Sequence, residues 1–422
     1  MSLQQIAPLA YLRAAIIALT FAIGALCIAS FQWICVQLLQ SSPSTLYAII
    51  STTKTHFVIL LGFLTSIVNP CKIAITIDTQ SVPHSQQFKV DSTGHIHTFL
   101  DPNSILISNH QIYTDWLFIW FLTYTSNLSN SVFIILKDLS KIPVLGYGMK
   151  NFNFLFLSRK WEKDKVKLTN QLLEIDANAR GLGPANGVSI LSSTEKEIKK
   201  WPKGTCSKSK DQAVWPYELI LFPEGTVTSD RTTKKSAEYT SGKGLPPLKH
   251  VLSPRVRGLY LSLKKLQNTI EEVYDITTVY GGLQPHEYGE IKFSLKNVYL
   301  RGQGPPVVNY FIRAYKIKDI PALGAQDDEI DDSTHEQLQE FEKWLLKIWY
   351  EKDALIDGFH KTGHWQTDLS TRKIVGDFKL KNPLELVRPF LPIATIVSVL
   401  ITIGYFVSVL LRSGLAEYPI ME

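Results

Sequence analysis

The sequence predicts a mixed α/β domain, a sheet covered by helices, held between an N-terminal and a C-terminal membrane segment. Between Arg13 and Lys54, and again between Arg388 and Arg412, no Asp, Glu, Lys or Arg occurs. Each run exceeds the roughly 20 residues that cross a bilayer as a helix. The long stretch between them holds nearly all the charge, and short apolar runs alternate there with amphipathic stretches, as strands and covering helices do. A wholly soluble protein and a multi-span transporter are both excluded.

Residues 1–71 are predicted to anchor the chain. The apolar run at 14–39 is longer than the core of a signal peptide and lacks a clear cleavage site, so we interpret it as a retained span. A shorter apolar piece at 56–68 suits an interfacial or re-entrant segment. The run at 389–411, rich in Ile, Val and Leu, predicts a C-terminal transmembrane helix.

Residues 72–388 are predicted to form one globular domain on the cytosolic side, because cytoplasmic flanks of spans carry an excess of Lys and Arg. The basic residues on this side are Lys54, Lys72, Arg372, Lys373, Lys379, Lys381 and Arg388, against Arg13 and Arg412 on the far side. The glycosylation sequon at Asn127 is then a chance match. These features predict an integral membrane protein, with the endoplasmic reticulum as the default membrane and the lipid bilayer as a partner.

The net charge and the cysteine positions limit the kinds of partner and compartment that we expect for this protein. The net charge is +6, from 44 basic and 38 acidic residues, and no basic-aromatic module for nucleic acid is present, so nucleic acid is not expected. The cysteines lie at 27, 35, 71 and 206 without metal-type spacing, which favours a reducing compartment. The sequence leaves the oligomeric state open.

Within the body, the apolar runs and amphipathic stretches predict the elements in order. The predicted strands are Lys72–Ile77, Ile105–Ser108, Val132–Leu136, Phe154–Leu157, Leu219–Phe222, Ile276–Val279, Ile291–Leu295 and Val308–Ile317. The predicted helices are Thr114–Tyr124, Lys163–Ala179, Arg255–Thr269 and Glu336–Asp353. Residues 181–213, rich in Gly, Pro, Ser and Lys, predict a solvated surface insertion.

The first candidate for chemistry is His110, followed five positions later by Asp115. On one continuous helix these side chains would sit roughly 140° apart, so they meet only if His110 lies in a loop before the helix that carries Asp115. A strand ending near Ser108 and a helix beginning near Thr114 provide that arrangement. An Asp bonded to one imidazole nitrogen makes the other a general base.

Two other segments place charged side chains at strand ends. Leu221-Phe-Pro-Glu-Gly-Thr226 is a strand that breaks into a tight turn with Glu224 at its edge. Phe156-Leu-Ser-Arg159 ends a strand with an arginine, a suitable phosphate ligand. Taken alone, each also fits a structural turn or a surface ion pair.

Together, these segments resemble the four blocks of the glycerolipid acyltransferase family, the acyl-CoA:lysophospholipid and 1-acylglycerol-3-phosphate acyltransferases. The blocks occur here in order, at Asn109–Asp115, Phe156–Arg159, Phe222–Thr226 and Val273–Tyr280. Three further segments resemble the eukaryotic subgroup of lysocardiolipin, lysophosphatidylinositol and lysophosphatidate acyltransferases, at 156–164, 244–255 and 344–353. The resemblance covers roughly residues 70 to 360 and implies the acyltransferase-like α/β fold.

The resemblance implies acyl transfer from acyl-CoA, as co-substrate, to a free glycerol hydroxyl of a lysophospholipid, with no bound cofactor and no metal. His110 is then the base and Asp115 its orienting partner, and Arg159, Glu224, Gly225 and Thr226 are implied substrate-binding positions. Arg159 would pair with the acceptor phosphate, Glu224 would hold hydroxyls or nearby backbone, and N–H groups around Gly225 would stabilise the oxyanion.

This sequence departs from the family pattern in three places. Val227 stands where the third block commonly continues with Arg, Gly281 stands where the fourth often ends in Pro, and the Lys-rich insertion before Tyr217 is additional. Two other readings stay open: His110 and Asp115 as ligands of a metal hydrolase, although further ligands at suitable spacing are not apparent, and a catalytically inactive lipid-binding or scaffold protein of the same fold.

Overall fold

Two long helices precede an alternating series of strands and helices. The computed structural model describes residues 8–137, 139–158, 160–191, 197–204, 214–326 and 335–415. The helices are α1 Pro8–Leu38, α2 Pro43–Val68, α3 Asp115–Thr125, α4 Leu145–Asn151, α5 Trp161–Ala179, α6 Asp230–Gly242, α7 Val256–Leu266, α8 Gly289–Lys292, α9 His335–Thr362 and α10 Leu391–Leu415. The strands are β1 Lys72–Asp78, β2 Lys89–Val90, β3 Ile96–His97, β4 Ser104–Ser108, β5 Val132–Lys137, β6 Leu155–Leu157, β7 Glu218–Leu221, β8 Glu272–Tyr280, β9 Val307–Lys316 and β10 Thr371–Asp377.

One mixed sheet, as predicted, organises the body. Its strand order is β10-β1-β9-β8-β4-β7-β5-β6, and β2 and β3 form a separate small hairpin. The strands from β8 to β6 run parallel, whereas β9 is antiparallel to β8 and β10 is antiparallel to β1. Because β4, β7 and β8 are parallel neighbours, their carboxyl ends meet at one edge of the sheet, where ligands usually bind.

Each face of the sheet is covered by its own set of helices. Along β4, Leu106 packs with the apolar side chains of α2 and α3, including Phe57 and Trp120. The alternate residues Ile105 and Ile107 pack on the other face with α5, α7 and α9. This alternation is the period of two that a strand buried on both sides requires.

Three helices are long and apolar enough to cross a membrane, at Tyr11–Leu38, Pro43–Val68 and Leu391–Leu411. They differ in packing, since the apolar window of α10 contains no buried residue, whereas 61% of that of α2 is buried inside the protein. The predicted short segment at 56–68 is the second half of α2, which begins at Pro43. The first half was missed because its Ser and Thr residues and Lys54 interrupt the apolar pattern.

Polar contacts attach α2 to the body along its length. Near its start, the Ser44 hydroxyl donates to the carbonyl of Ala185 over 2.8 Å. In the middle, Thr55 Oγ1 lies 2.9 Å from Ser129 Oγ, and near the end Thr65 Oγ1 lies 2.8 Å from the Tyr299 hydroxyl. The first residues of the predicted surface insertion are therefore packed against α2, and Ala185 is only 2% exposed; residues 192–196 and 205–213 of that insertion lie outside the described part of the chain.

The predicted strand at Ile291–Leu295 is wrong. Residues 289–292 form the short helix α8, and a π-helical turn follows at Lys296–Leu300. The alternating apolar pattern there misleads, because Ile291 and Leu295 are exposed and only Phe293 is buried. The amide of Asn297 donates to the carbonyls of Ile291 and Lys292 and holds the turn.

Some elements carried too weak a signal to predict. Helix α6 has no apolar stripe and is instead fixed by a capping box between Ser229 and Thr232. Strand β10 is an edge strand that carries Arg372 and Lys373, in keeping with the charged composition of sheet edges. Helix α4 and the β2–β3 hairpin were missed because each is short.

Candidate active site

His110 and Asp115 meet at the carboxyl end of β4. The strand ends at Ser108, and the Asn109 side chain fixes the following loop to β8 by donating to the carbonyl of Thr278 and accepting from its N–H, over 3.0 and 2.8 Å. His110 lies in this loop and Asp115 begins α3. Nδ1 of His110 lies 2.7 Å from Oδ2 of Asp115. The structure thus has the loop-before-helix geometry that the spacing required.

Asp115 is buried and accepts from several donors. Besides the imidazole, the backbone N–H groups of Gln111 and Ile112 donate to Oδ2 over 2.7 and 3.1 Å. The hydroxyl of Tyr280, at the end of β8, donates to Oδ1. Burial, and secondarily the Asp115 carboxylate, raises the pKa of Tyr280 well above its usual range, so Tyr280 keeps its proton and donates it. Because Asp115 accepts at Nδ1, the acceptor lone pair of a neutral His110 is on Nε2.

The rest of His110 is held from the other side. Its ring stacks on Phe222, with ring centroids 4.4 Å apart and 24° between the planes. Its backbone carbonyl accepts from both the N–H and the hydroxyl of Thr228, each over 3.0 Å. Within the described ranges, Nε2 has no protein hydrogen-bond partner, and 18% of the side chain is exposed. The imidazole is therefore fixed in orientation, with one nitrogen open to a ligand.

The turn after β7 supports this ring. The N–H of Gly225 donates to the carbonyl of Phe222 over 2.9 Å, and Gly225 adopts a φ of +69°, which glycine tolerates without strain. The hydrogen-bonded turn presents the Phe222 ring to His110. It also occupies the Gly225 N–H, which is one of the backbone N–H groups around Gly225 that were expected to face the oxyanion.

Glu224 points inward from the same turn and is 2% exposed. The indole N–H of Trp349, on α9, donates to Oε1 over 3.4 Å. Burial raises the pKa of Glu224 well above its usual range, and hydrogen bonds from Trp349 and from the backbone of His110 and Leu252 oppose this shift. Glu224 therefore joins the loop that carries His110 to α9.

A buried ion cluster lies behind the turn. Lys352, one turn after Trp349 on α9, lies 2.5 Å from Oδ1 of Asp275 on β8, and Nη2 of Arg313 on β9 lies 2.8 Å from Oδ2. Lys352 also donates to the carbonyl of Ile276 over 2.8 Å. Burial alone would raise the pKa of Asp275, but the two cations outweigh it and hold that pKa below its usual value.

Comparison with known proteins finds acyltransferases. A family model described as "Acyltransferase" matches residues 87–243, a range that contains His110, Asp115 and Glu224. The 2-acyl-1-lysophosphatidylinositol acyltransferase of Saccharomyces cerevisiae is 43% identical over 350 residues, 82% of this chain and 84% of the relative.

The chain belongs to the acyltransferase family.

More distant acyltransferases match over a shorter range. Lysophosphatidylinositol acyltransferase 10 of Caenorhabditis elegans is 29% identical over 61% of this chain and 53% of its own length. Lysocardiolipin acyltransferase 1 of Gallus gallus is 26% identical over 62% and 54%. No solved structure gave a significant match.

The remaining substrate-binding positions that the resemblance implied differ in where they lie in this acyltransferase. Arg159 lies outside the described residues, although its neighbours Ser158 and Lys160 both donate backbone N–H groups to Asp164. Thr226 is half-buried beside Gly225 at the turn. Val227 is only 6% exposed, so this position contributes an apolar side chain to the interior and no charge to the site.

The second departure from the family pattern has a packing explanation. The N–H of Gly281 donates to the carbonyl of Val307 over 2.8 Å, a bond that Pro cannot make. A Cβ at this position would also lie 2.3 Å from Cγ1 of Val307. Glycine therefore lets β8 and β9 approach closely just after Tyr280.

Sequence reasoning missed the roles of Tyr280, Trp349 and Thr228. Tyr280 and Trp349 lay in segments that carried the family resemblance, but their partners are 165 and 125 residues away.

The alternative of a metal hydrolase gains no support, since within the described ranges no group of three or more His, Cys, Asp or Glu residues is placed to hold a metal ion. Cys27, Cys35 and Cys71 are free thiols, and Cys206 lies outside the described part.

Proposed function

We propose that this acyltransferase transfers a fatty acyl group from acyl-CoA to the free glycerol hydroxyl of a lysophospholipid. The observation that carries the proposal is the His110–Asp115 pair, with Nδ1 engaged and Nε2 open. The acceptor class rests on the yeast 2-acyl-1-lysophosphatidylinositol acyltransferase at 43% identity. We therefore propose 2-acyl-1-lysophosphatidylinositol as the preferred acceptor, ahead of monolysocardiolipin and lysophosphatidate.

The proposed reaction is a direct transfer without an acyl-enzyme. Nε2 of His110 takes the proton of the acceptor hydroxyl as that oxygen attacks the thioester carbon. Asp115 stabilises the imidazolium that forms, as an Asp does beside a catalytic His. When the tetrahedral intermediate collapses, the carbon–sulfur bond breaks and the departing CoA thiolate accepts this proton from Nε2.

The tight packing around the pair supports its use in such a step. Asp115 is held by Tyr280 and two backbone amides, and the ring of His110 is held by Phe222. A base fixed in this way needs little reorganisation when charge develops. For the oxyanion we propose the N–H of Thr226, since the N–H of Gly225 is occupied within the turn.

We also propose that the body faces the cytosol at the endoplasmic reticulum. Lys54 lies inside α2 and is buried, so it does not count as a flanking charge. This orientation is supported by the flanking residues Lys72, Lys379, Lys381 and Arg388. Acyl-CoA is a water-soluble thioester, whereas the acceptor lies in the leaflet. The exposed apolar surface of α10 fits lipid contact. In sealed microsomes, protease should cut the body but not a tag placed after residue 415, which lies beyond α10. An accessible tag and a protected body would overturn this orientation.

The decisive experiment is acyl transfer by the purified full chain in nonionic detergent, with and without acyl-CoA. Acceptors are the lysophospholipids named above and lysophosphatidylcholine. His110→Ala should lower the rate by about 10²–10⁴-fold, whereas His335→Ala, at an exposed position at the start of α9, should not change it. A folded wild type that acylates no acceptor, or a His110→Ala variant as active as wild type, would leave the scaffold reading in its place.

A further inference from the structure

Arg255 lies across the turn that supports the catalytic histidine. Its backbone N–H donates to the carbonyl of Pro223 over 2.7 Å, which joins the start of α7 to the turn. A Cβ at Gly225 would lie 3.1 Å from Cδ, 3.2 Å from Nε and 3.4 Å from Cζ of Arg255. The Arg255 side chain therefore rests directly on Gly225, at the one residue of the turn that has no side chain.

Nothing in the described structure neutralises this cation. Arg313 and Arg180 each pair with a buried carboxylate, whereas Arg255 is exposed and forms no ion pair with any described residue. It also precedes the first residue of α7, where the helix dipole disfavours positive charge. The ion pairs of the described structure therefore leave the Arg255 guanidinium available to an anionic ligand.

The position of Arg255 distinguishes between the phosphates of the two substrates. The ends of a hydrogen-bonded turn lie within about 7 Å, so Arg255 on Gly225 is one turn away from Phe222 and the imidazole stacked on it. In a lysophospholipid, the phosphate and the reacting hydroxyl share one glycerol. In acyl-CoA, the whole pantetheine arm separates the thioester from the phosphates. The short separation fits the acceptor.

We propose that Arg255 binds the phosphate of the lysophospholipid acceptor and so places its free hydroxyl beside Nε2 of His110. This inference rests on the proposed function. It also places a positive charge near Glu224. The family pattern commonly has an arginine just after the third block, but this chain has Val227 there. The planar guanidinium matches two phosphate oxygens at once, which a lysine ammonium does not.

The test compares two acceptors that carry the same free hydroxyl. Wild type, Arg255→Ala, Arg255→Lys and the control Lys318→Ala are assayed as full chains with 2-acyl-1-lysophosphatidylinositol and with 2-monoacylglycerol, which lacks the phosphate. Lys318 is exposed, near the end of β9. With the phospholipid, Arg255→Ala should raise KM by about tenfold to a hundredfold, and Arg255→Lys should recover part of this loss. The rate of Arg255→Ala on monoacylglycerol and its KM for acyl-CoA should equal those of wild type. The Lys318→Ala enzyme should match wild type in every measurement.

Three results would overturn the assignment. Arg255→Ala indistinguishable from wild type would show that the phosphate binds elsewhere. An equal loss on both acceptors would show that Arg255 only supports the turn, and a raised KM for acyl-CoA would assign it to the donor. Binding of lysophosphatidylinositol without acyl-CoA separates this inference from the reaction itself: weaker binding by Arg255→Ala supports it even if no transfer is found, and unchanged binding overturns it.

Discussion

Two buried aspartates flank the end of the sheet, and their surroundings differ. Asp115 accepts hydrogen bonds from a tyrosine, two backbone amides and an imidazole whose other nitrogen is open. Asp275 is enclosed by the cations of Lys352 and Arg313. A carboxylate with neutral donors and one titratable partner can support a moving proton, whereas a carboxylate paired with two buried basic side chains holds elements together. These surroundings distinguish the proposed catalytic pair from the structural ion cluster.

The largest effect is expected on activity when Asp115 is changed. In Asp115→Asn, the amide can no longer stabilise an imidazolium, and kcat should fall by about 10³-fold, or about 4 kcal/mol in the barrier. Steady-state kinetics on purified protein measures this. Asp319→Asn, at an exposed position, serves as the control, and an Asp115→Asn enzyme within tenfold of wild type would show that Asp115 does not serve the base.

Asp275→Asn should act on stability. It leaves Lys352, which is fully buried, without its counter-charge, and breaking a buried pair in this way costs about 3–5 kcal/mol. Thermal unfolding of the detergent-solubilised protein should show a lower Tm, whereas Asp368→Asn, at an exposed site, should not. If the folded fraction of Asp275→Asn lost activity as completely as Asp115→Asn while its Tm was unchanged, the two aspartates would not have separate roles.

Tyr280→Phe tests the neutral donor of Asp115. Without the hydroxyl, Oδ1 loses a hydrogen bond, and kcat should fall by about tenfold while the acceptor KM stays unchanged. Tyr310→Phe is a matched control, since Tyr310 is equally buried but its hydroxyl has no hydrogen-bond partner among the described residues. Equal effects of the two substitutions would mean that buried hydroxyls in general, not the bond to Asp115, account for the loss.

A third carboxylate, Glu272 on β8, should give the smallest effect. Burial, and secondarily Asp101, raises the pKa of Glu272 to about 7, against the lowering effect of Lys316. A carboxyl whose pKa is raised on folding binds its proton more tightly in the folded state, so it favours folding most at low pH. This contribution is lost as the pH rises from about 4.5 to about 7. Glu272→Gln should therefore flatten the dependence of Tm on pH in this window, and an unaltered slope would contradict the prediction.

The sequence predicted the proposed catalytic pair better than the residues that hold it in place. His110 and Asp115 are five residues apart, and the end of β4 and the start of α3 are local signals, so their meeting could be inferred. Tyr280 and Trp349 reach the site through strand register and helix packing, which no local pattern contains. The fold class and most strands followed from apolar periodicity. Helix α6 has no apolar periodicity to predict it. The segment at 291–295 has the alternating apolar pattern of a strand although it joins two helical turns.

The packing of α2 against the body determines whether the N-terminal region can be removed without unfolding the protein. Phe57 of α2 contacts the rings of Trp120 and Phe152, at centroid distances of 6.0 and 5.8 Å, so this helix forms one wall of the interior. A version that starts at residue 72 would expose those rings to water and should aggregate. The N-terminal region is thus part of the folding unit, and His110 has a fixed orientation relative to it.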